Sequence, residues 1–409
     1  MIKKIKKNRK IIMDLFFNTF GFGIYIIAQQ IVLLPIMAKV FNENDFSKIV
    51  LYVSIFAIIT NVLGSELGIV RQVKRDEENN SGSYNRILLQ LIPFIIIISS
   101  ISLVVLGFSL IEIVLLTIII LLGNVRLYAS AFFRNNKDFK NIVIQNIIYL
   151  IGVVLGIIII YKIKLIWIPM LVAEVLCLIF NLIKTDIVKV KPIKTDENKN
   201  IWKTYRDFGI ISFLVNMTTY FDKIIIYPIL GESAVSVYYS TSSMSKVLAL
   251  ITNPMHGVIL SWIKGNDENF KKKITRMTLK VNIPIIIITF IIGLPITYLA
   301  IMILYPQYLN SALPLILPVT ITMAFNTVAT IIKAILLKYI DSKKLVNEYV
   351  IYIGLLVVLA IVMSNLFGIV GFAYATAISK IALWFMFILN LNKIGKYNIQ
   401  KQGEKSEKK

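Results

Sequence analysis

The 409-residue chain has one cysteine, Cys177, and one histidine, His256. A single thiol excludes an intrachain disulfide, and a single imidazole leaves no histidine-based metal site. No metal or other cofactor is expected. No Gly-x4-Gly-Lys-Ser/Thr phosphate loop is present, which argues against ATP hydrolysis by this chain. Acids are also scarce: 22 Asp and Glu stand against 44 Lys and Arg, a net charge of +22. The acidic run "RDEENN" at 75–80 reads as a solvated loop and not as a metal site.

What the chain has in quantity is hydrocarbon. Apolar residues make up 57% of it and the mean hydropathy is +0.78. Apolar runs recur from end to end, each long enough to cross a bilayer core of roughly 30 Å. The basic opening "MIKKIKKNRK" leads into an apolar stretch from Ile11 to about Ala38, too long for a cleaved signal and read as a first uncleaved span. Twelve spans are expected, at 11–38, 46–70, 87–110, 112–133, 141–161, 165–184, 206–230, 234–262, 275–304, 312–337, 346–365 and 369–392. The fold class is thus an all-α polytopic membrane protein.

The basic excess could suggest nucleic acid, but its distribution gives it another origin. With the N-terminus inside, the outer loops hold only Lys39, Lys48, Lys162 and Lys164, and the basic clusters fall on the inner side. This is the positive-inside rule, so no nucleic-acid partner is expected. Both termini are expected in the cytoplasm. The lysine-rich end "KQGEKSEKK" is expected to be drawn to anionic lipid headgroups.

The outer loops "GES", "YPQYLNS" and "SNLFG" are short, whereas "TDIVKVKPIKTDENKNIWKTYR" is the longest connection and lies inside. It divides the chain into a six-helix lobe at 1–184, a linker at 185–203, a second six-helix lobe at 204–392 and a basic tail at 393–409. The halves match at an offset of 193 positions: "QQIVLLPIM" at 29–37 aligns with "DKIIIYPIL" at 222–230, and Pro35, Asp14 and Lys10 with Pro228, Asp207 and Lys203. Proline and charge are rare in spans, so the shared offset argues for a parallel repeat of the kind found in transporters.

The chemistry must come from the polar residues inside the spans. A charge at mid-bilayer costs roughly 2.5–3.5 kcal/mol unless it snorkels or faces a polar interior. At 1.5 Å per residue, Lys246 and Lys380 lie about 18 Å from the nearest interface, too deep to snorkel. Arg126, Lys280 and Lys333 lie nearer the inner ends, within snorkelling reach. Polar stripes at helical spacing run along four spans: Asp14, Asn18, Tyr25 and Gln29; Asn216, Tyr220, Lys223 and Tyr227; Tyr239, Ser242, Ser243, Lys246, Asn253 and His256; and Thr322, Asn326, Thr330 and Lys333. Such stripes either line a shared cavity or hydrogen-bond between helices. Asp222 and Lys223 point about 100° apart on a helix, and each is expected to find its partner elsewhere. The buried acids Glu66, Glu174 and Asp222 are outnumbered by buried bases, so a cavity lined by these groups would be net positive and would favour an anion.

At these residues the chain resembles the polysaccharide repeat-unit flippases (O-antigen type) of the multidrug, oligosaccharidyl-lipid and polysaccharide exporter superfamily. "FGIISFLVNMTTYFDKIIIYPILGESAVSVYYS" matches the family's pattern at Gly209, Asp222, Leu230, Gly231 and Tyr238 or Tyr239. "LGSELGIVRQV", with Arg71, resembles the end of its second span, and "GIVGFAYATAISK" the start of its last. The loop "FNENDFS" lacks the glycines usual there, and Phe372 stands where a small residue is usual. The resemblance implies two lobes around a cationic cavity that carry an undecaprenyl-diphosphate-linked oligosaccharide from the inner to the outer leaflet of the bacterial cytoplasmic membrane by alternating access. It also implies H+ or Na+ coupling, a role in O-antigen or capsule synthesis, and a polysaccharide polymerase as partner.

On that reading the substrate-binding candidates are Lys223, Lys246, Lys380, Arg126, Lys333, Tyr239, Ser243, Asn253, Asn326 and Gln29. The ion-coupling candidates are Asp222, Glu66, Glu174 and Asp14. A cation-coupled multidrug exporter of the same superfamily is the alternative, although cationic drugs would favour a negative lining. A membrane-embedded polymerase or glycosyltransferase is a reading of another class. It would need a catalytic loop or a paired acid and base, and the outer loops are too short to supply one, so no enzyme activity is expected.

The topology is open to direct test. A reporter fused at Asn310 should read as outside and one at Asn198 as inside; an inside signal at Asn310 overturns the assignment.

Overall fold

The computed structural model describes residues 13, 16–74, 81–195, 198–244, 268–339 and 342–406. Every regular element among them is helical. The chain forms two compact units, Met1–Phe221 and Asp222–Lys409.

In the first unit, α1 (Phe16–Val40) contains a π-helical segment, Ile27–Leu33, directly before Pro35. Proline has no N–H to donate and its ring crowds the carbonyl four residues back, so a widened turn next to it relieves the misfit. α2 (Glu43–Val73) starts at Asn42, whose side chain accepts from the Asp45 N–H at 2.8 Å. A second π segment, Thr60–Ser65, interrupts α2 without a proline. α3 (Ser81–Val105) carries Pro93, and α4 (Leu110–Asn135) opens with a capping box between Ser109 and Glu112. α5 (Phe139–Ile163) ends at Lys164 in the left-handed conformation, and α6 (Ile168–Lys184) follows with Pro169 in its first turn.

α7 (Asn198–Ser242) runs across the boundary between the units, and α8 (Glu268–Leu304), α9 (Leu309–Tyr339) and α10 (Ser342–Ser406) complete the second. Nine of the helices among the described residues are long and apolar enough to cross a membrane. α7 and α10 are each two helices joined end to end, at Gly231 (φ 81°, ψ −174°) and Gly368 (φ 58°, ψ −142°). α6, at 17 residues, is a shorter span. Counted this way the segments reach the twelve that hydropathy leads one to expect.

Side chains are arranged for an apolar solvent. On α3, Phe94, Ile97, Ile101 and Val104 form an exposed stripe at helical spacing, and Ile283, Ile287 and Ile291 do the same on α8. Aromatics fill the first unit's interior: Tyr52 meets Trp167 edge-on at 5.2 Å and its hydroxyl donates to the Leu116 carbonyl at 3.1 Å. An apolar exterior over a core that contains polar groups is what a bilayer selects.

Gly231 and Gly368 sit in a backbone region that side chains hardly tolerate, and nothing lies within 4 Å of where a Cβ would stand at either. The cost of a substitution there is therefore conformational. Gly231→Ala and Gly368→Ala should each lose about 1–3 kcal/mol, whereas Lys164→Gly, at φ 55° and ψ 22°, should be close to neutral. Thermal unfolding of the detergent-solubilised protein measures the difference; equal midpoints for all three would refute the assignment of strain.

Candidate functional site

Each unit builds a polar cluster of its own. In the first, Arg126 on α4 gives its Nε to both carboxylate oxygens of Glu174 on α6, at 3.1 and 2.9 Å. The two side chains are 2% and 0% exposed. The guanidinium carbon also lies 4.6 Å from the ring centre of Tyr25 and 4.8 Å from that of Tyr149, a desolvated cation–π arrangement. Gln29, in the π segment of α1, donates to the Tyr149 hydroxyl at 3.2 Å. Arg126 is therefore drawn inward and does not snorkel as its distance from the interface would permit, because a fully buried carboxylate meets it there.

A neutral ladder continues beside the pair. Ser130 donates to Gln145 at 2.8 Å, and Gln145 donates to Asn181 at 2.7 Å. Glu66 stands where the π segment of α2 ends, partly exposed and with no ion-pair partner among the described residues. One turn earlier, Asn61 donates to Asn216 at 2.9 Å.

In the second unit the cluster centres on Asp222. Its carboxylate accepts from the backbone N–H and the Nζ of Lys223 and from the Tyr238 hydroxyl, the last at 3.0 Å. Sequence spacing argues against a bond between the two neighbours, and the structure overturns that expectation. Cα directions 100° apart do not limit a four-carbon lysine stem, and a buried ammonium curls back to the nearest carboxylate. The Lys223 Nζ also lies 5.6 Å from the ring centre of Tyr238.

Tyr238 extends the cluster to Thr376 at 3.4 Å, and Thr376 to Thr322 at 3.4 Å. Phe372 packs edge-on to Tyr238 at 5.1 Å and so walls this cluster. Lys380, 3% exposed, lies over the Tyr352 ring with Nζ 4.4 Å from its centre. Asp222, Lys223 and Lys333 are all close enough to act on Lys380 electrostatically. Lys223 is thus paired with Asp222, and Lys380 lies within electrostatic reach of both, with Lys333 near Lys380.

The remaining candidates are distributed as follows. Tyr239 is buried edge-on to Tyr305 at 6.3 Å, and the Ser243 hydroxyl donates to the Ser240 carbonyl of its own helix at 3.0 Å. Asn326 is exposed and Lys333 half-buried on α9. Asp14, Lys246, Asn253 and His256 lie outside the described residues.

Sequence reasoning named Arg126, Glu174 and Tyr25 but did not join them, and it missed Tyr149 altogether. The signal was available: Arg126 and Glu174 are opposite charges deep in two spans of the same half.

No protein-family model matches the chain, and no curated protein does so either. Solved structures do match. A lipid II flippase MurJ in an inward closed conformation shares 15% identity at a TM-score of 0.66, over 96% of this chain and 90% of that one. An inward-facing multidrug resistance MATE family transporter of the MOP superfamily shares 10% identity at 0.66, over 91% and 95%. The Vibrio cholerae MATE transporter VcmN shares 10% at 0.61, over 93% and 97%. At such identities the likeness establishes the fold: an all-α polytopic membrane protein of about twelve helices in two six-helix lobes related as a parallel pseudo-repeat.

The Arg126–Glu174 pair makes a sharp energetic prediction. Glu174→Gln or Arg126→Gln strands a buried charge and should cost about 3–5 kcal/mol, whereas replacing both residues by methionine should cost much less. Thermal unfolding and folded yield in membranes read this out; single variants as stable as the double would show that the charges are not desolvated.

Proposed function

We propose that this chain is a transporter and not an enzyme. In this reading it carries polyprenyl-diphosphate-linked oligosaccharide repeat units from the inner to the outer leaflet of the bacterial cytoplasmic membrane by alternating access, for O-antigen or capsule synthesis. Its termini are cytoplasmic, and a polysaccharide polymerase would take up its product.

The fold supports a transporter but does not choose the cargo, since the lipid II flippase and the multidrug transporter match equally well at 0.66. Charge supports the lipid-linked cargo. Lys223 is paired with Asp222 and Lys380 lies close to both, with Lys333 near Lys380, so among the described residues this cluster holds more ammonium than carboxylate groups, and this is the observation that carries the reading. A diphosphate suits such a cluster, because ammonium–phosphate hydrogen bonds are charge-assisted. A cationic drug would be repelled. The hydroxyls of Thr322, Thr376 and Tyr238 are the groups that sugars use.

For ion coupling we favour Glu66. Glu174 is held by Arg126, and Asp222 by Lys223 and Tyr238, so each would have to break an ion pair before taking up H+ or Na+. Glu66 would not.

Losing one charged hydrogen bond to phosphate costs about 1.5–3 kcal/mol, so Lys380→Gln and Lys223→Gln should each lower glycan export roughly tenfold to a hundredfold at unchanged membrane levels. Lys380→Arg should retain more activity than Lys380→Gln. In the same assay Glu66→Gln should remove the response to collapse of the proton or sodium gradient. Full export by both glutamine variants at normal protein levels would defeat the cationic-site reading.

A further inference from the structure

We propose that residues 184–194, the segment that follows α6, form a built binding surface for the headgroups of anionic phospholipids. The segment is held at several points. Arg71, at the end of α2, pairs with Asp186 at 2.5 Å and donates to Ser81 at 2.8 Å and to Tyr128 at 3.2 Å. Asn85 on α3 donates its side-chain amide to the carbonyls of Asp186, Ile187 and Val190, at 3.3, 3.3 and 3.1 Å. Further on, the Ile193 N–H donates to the Gly82 carbonyl at 3.1 Å, and Ser83 bonds Thr195 at 2.9 Å. The segment is thus fastened to the ends of α2 and α3 through its backbone and its one described acid.

Everything left outward is basic or apolar. Lys184, Lys189, Lys191 and Lys194 are exposed, and Val188 and Ile193 are exposed by 66% and 48%. Asp186, the acid that could neutralise them, is already committed to Arg71. Lys189 closes the end of α6 by donating to the Ile183 carbonyl at 2.9 Å.

The position selects the partner. On α6, Val175, Ile179, Leu182 and Ile183 form an exposed apolar stripe at helical spacing, the face that meets lipid tails. At 17 residues and 1.5 Å per residue, α6 is about 25 Å long, shorter than a hydrocarbon core of about 30 Å. Chain that follows a short span stays at interfacial depth, where Val188 and Ile193 enter the acyl boundary and the lysines meet phosphates. Apolar stripe, wedge and basic band are continuous, whereas a soluble acidic protein would use the lysines and leave Val188 and Ile193 uncovered.

The test uses the full-length protein in bilayer discs of equal parts phosphatidylglycerol and phosphatidylcholine, with co-purifying lipid counted by native mass spectrometry. Each lysine near an anionic surface is worth about a fivefold gain in binding. The triple variant Lys189→Gln, Lys191→Gln, Lys194→Gln should therefore lose phosphatidylglycerol enrichment about tenfold or more. The corresponding triple arginine variant should keep it, and glutamine at Lys401, Lys405 and Lys408, in a tail that is itself drawn to anionic headgroups, should lose much less than the segment's variant. Helicity by circular dichroism checks that each variant is folded. Equal retention by the wild type and the segment's glutamine variant overturns the proposal, as does equal loss in the tail variant.

Discussion

Hydrocarbon does not solvate charge, and the placement of the ionisable groups described within the spans follows from that. On the outside the problem is avoided, since the exposed faces of α3, α6 and α8 are stripes of Phe, Ile, Leu and Val. Inside it is answered by contact. Arg126 is held by Glu174 and two tyrosine rings, Lys223 by Asp222 and a tyrosine ring, and Lys380 lies over Tyr352. Aromatic faces recur because a ring supplies negative potential without a charge of its own to bury. At the ends of the bundle, where water returns, Arg71 still takes a carboxylate with both terminal nitrogens, and each of these also donates to a hydroxyl.

The same solvent constrains the backbone. Unpaired N–H and C=O groups are not tolerated at membrane depth, so the described spans stay helical. The departures from regular helix inside the spans, the π segments of α1 and α2, fall beside groups able to occupy the displaced carbonyls and amides. Gln29 and Gln30 lie in the first, and Asn61 lies in the second. π segments of this kind are often found where a helix serves a function, and Glu66 begins the turn that follows the second.

Hydropathy alone made the spans legible, because a run of about twenty apolar residues has few alternatives to crossing a bilayer. It also located the polar stripes: Gln29, Lys223 and Thr322 each take part in a buried cluster. Partnership was less legible. Periodicity reports the direction of a Cα–Cβ bond, not where the tip of a long side chain ends, and that is why Asp222 and Lys223 were read as strangers. For a related reason spacing alone does not place the Arg126 side chain, since reach to the interface measures what is possible and not what a buried carboxylate makes favourable. The clasp on the linker depends on Arg71, Asn85 and Asp186, residues far apart in sequence, and no local pattern announces it.

The 193-position repeat gives these clusters a common origin and a point of divergence. Gln29 and Gln30 occupy the register that Asp222 and Lys223 occupy in the second half, and in both units the first member of the pair bonds a tyrosine hydroxyl, Gln29 that of Tyr149 and Asp222 that of Tyr238. The scaffold is therefore the same and the charge is not. In the first unit the register position is neutral and the nearby cation is cancelled by Glu174. In the second the register position is itself an ion pair, with Lys380 and Lys333 added to it. A duplicated fold needs only one register to carry such a surplus.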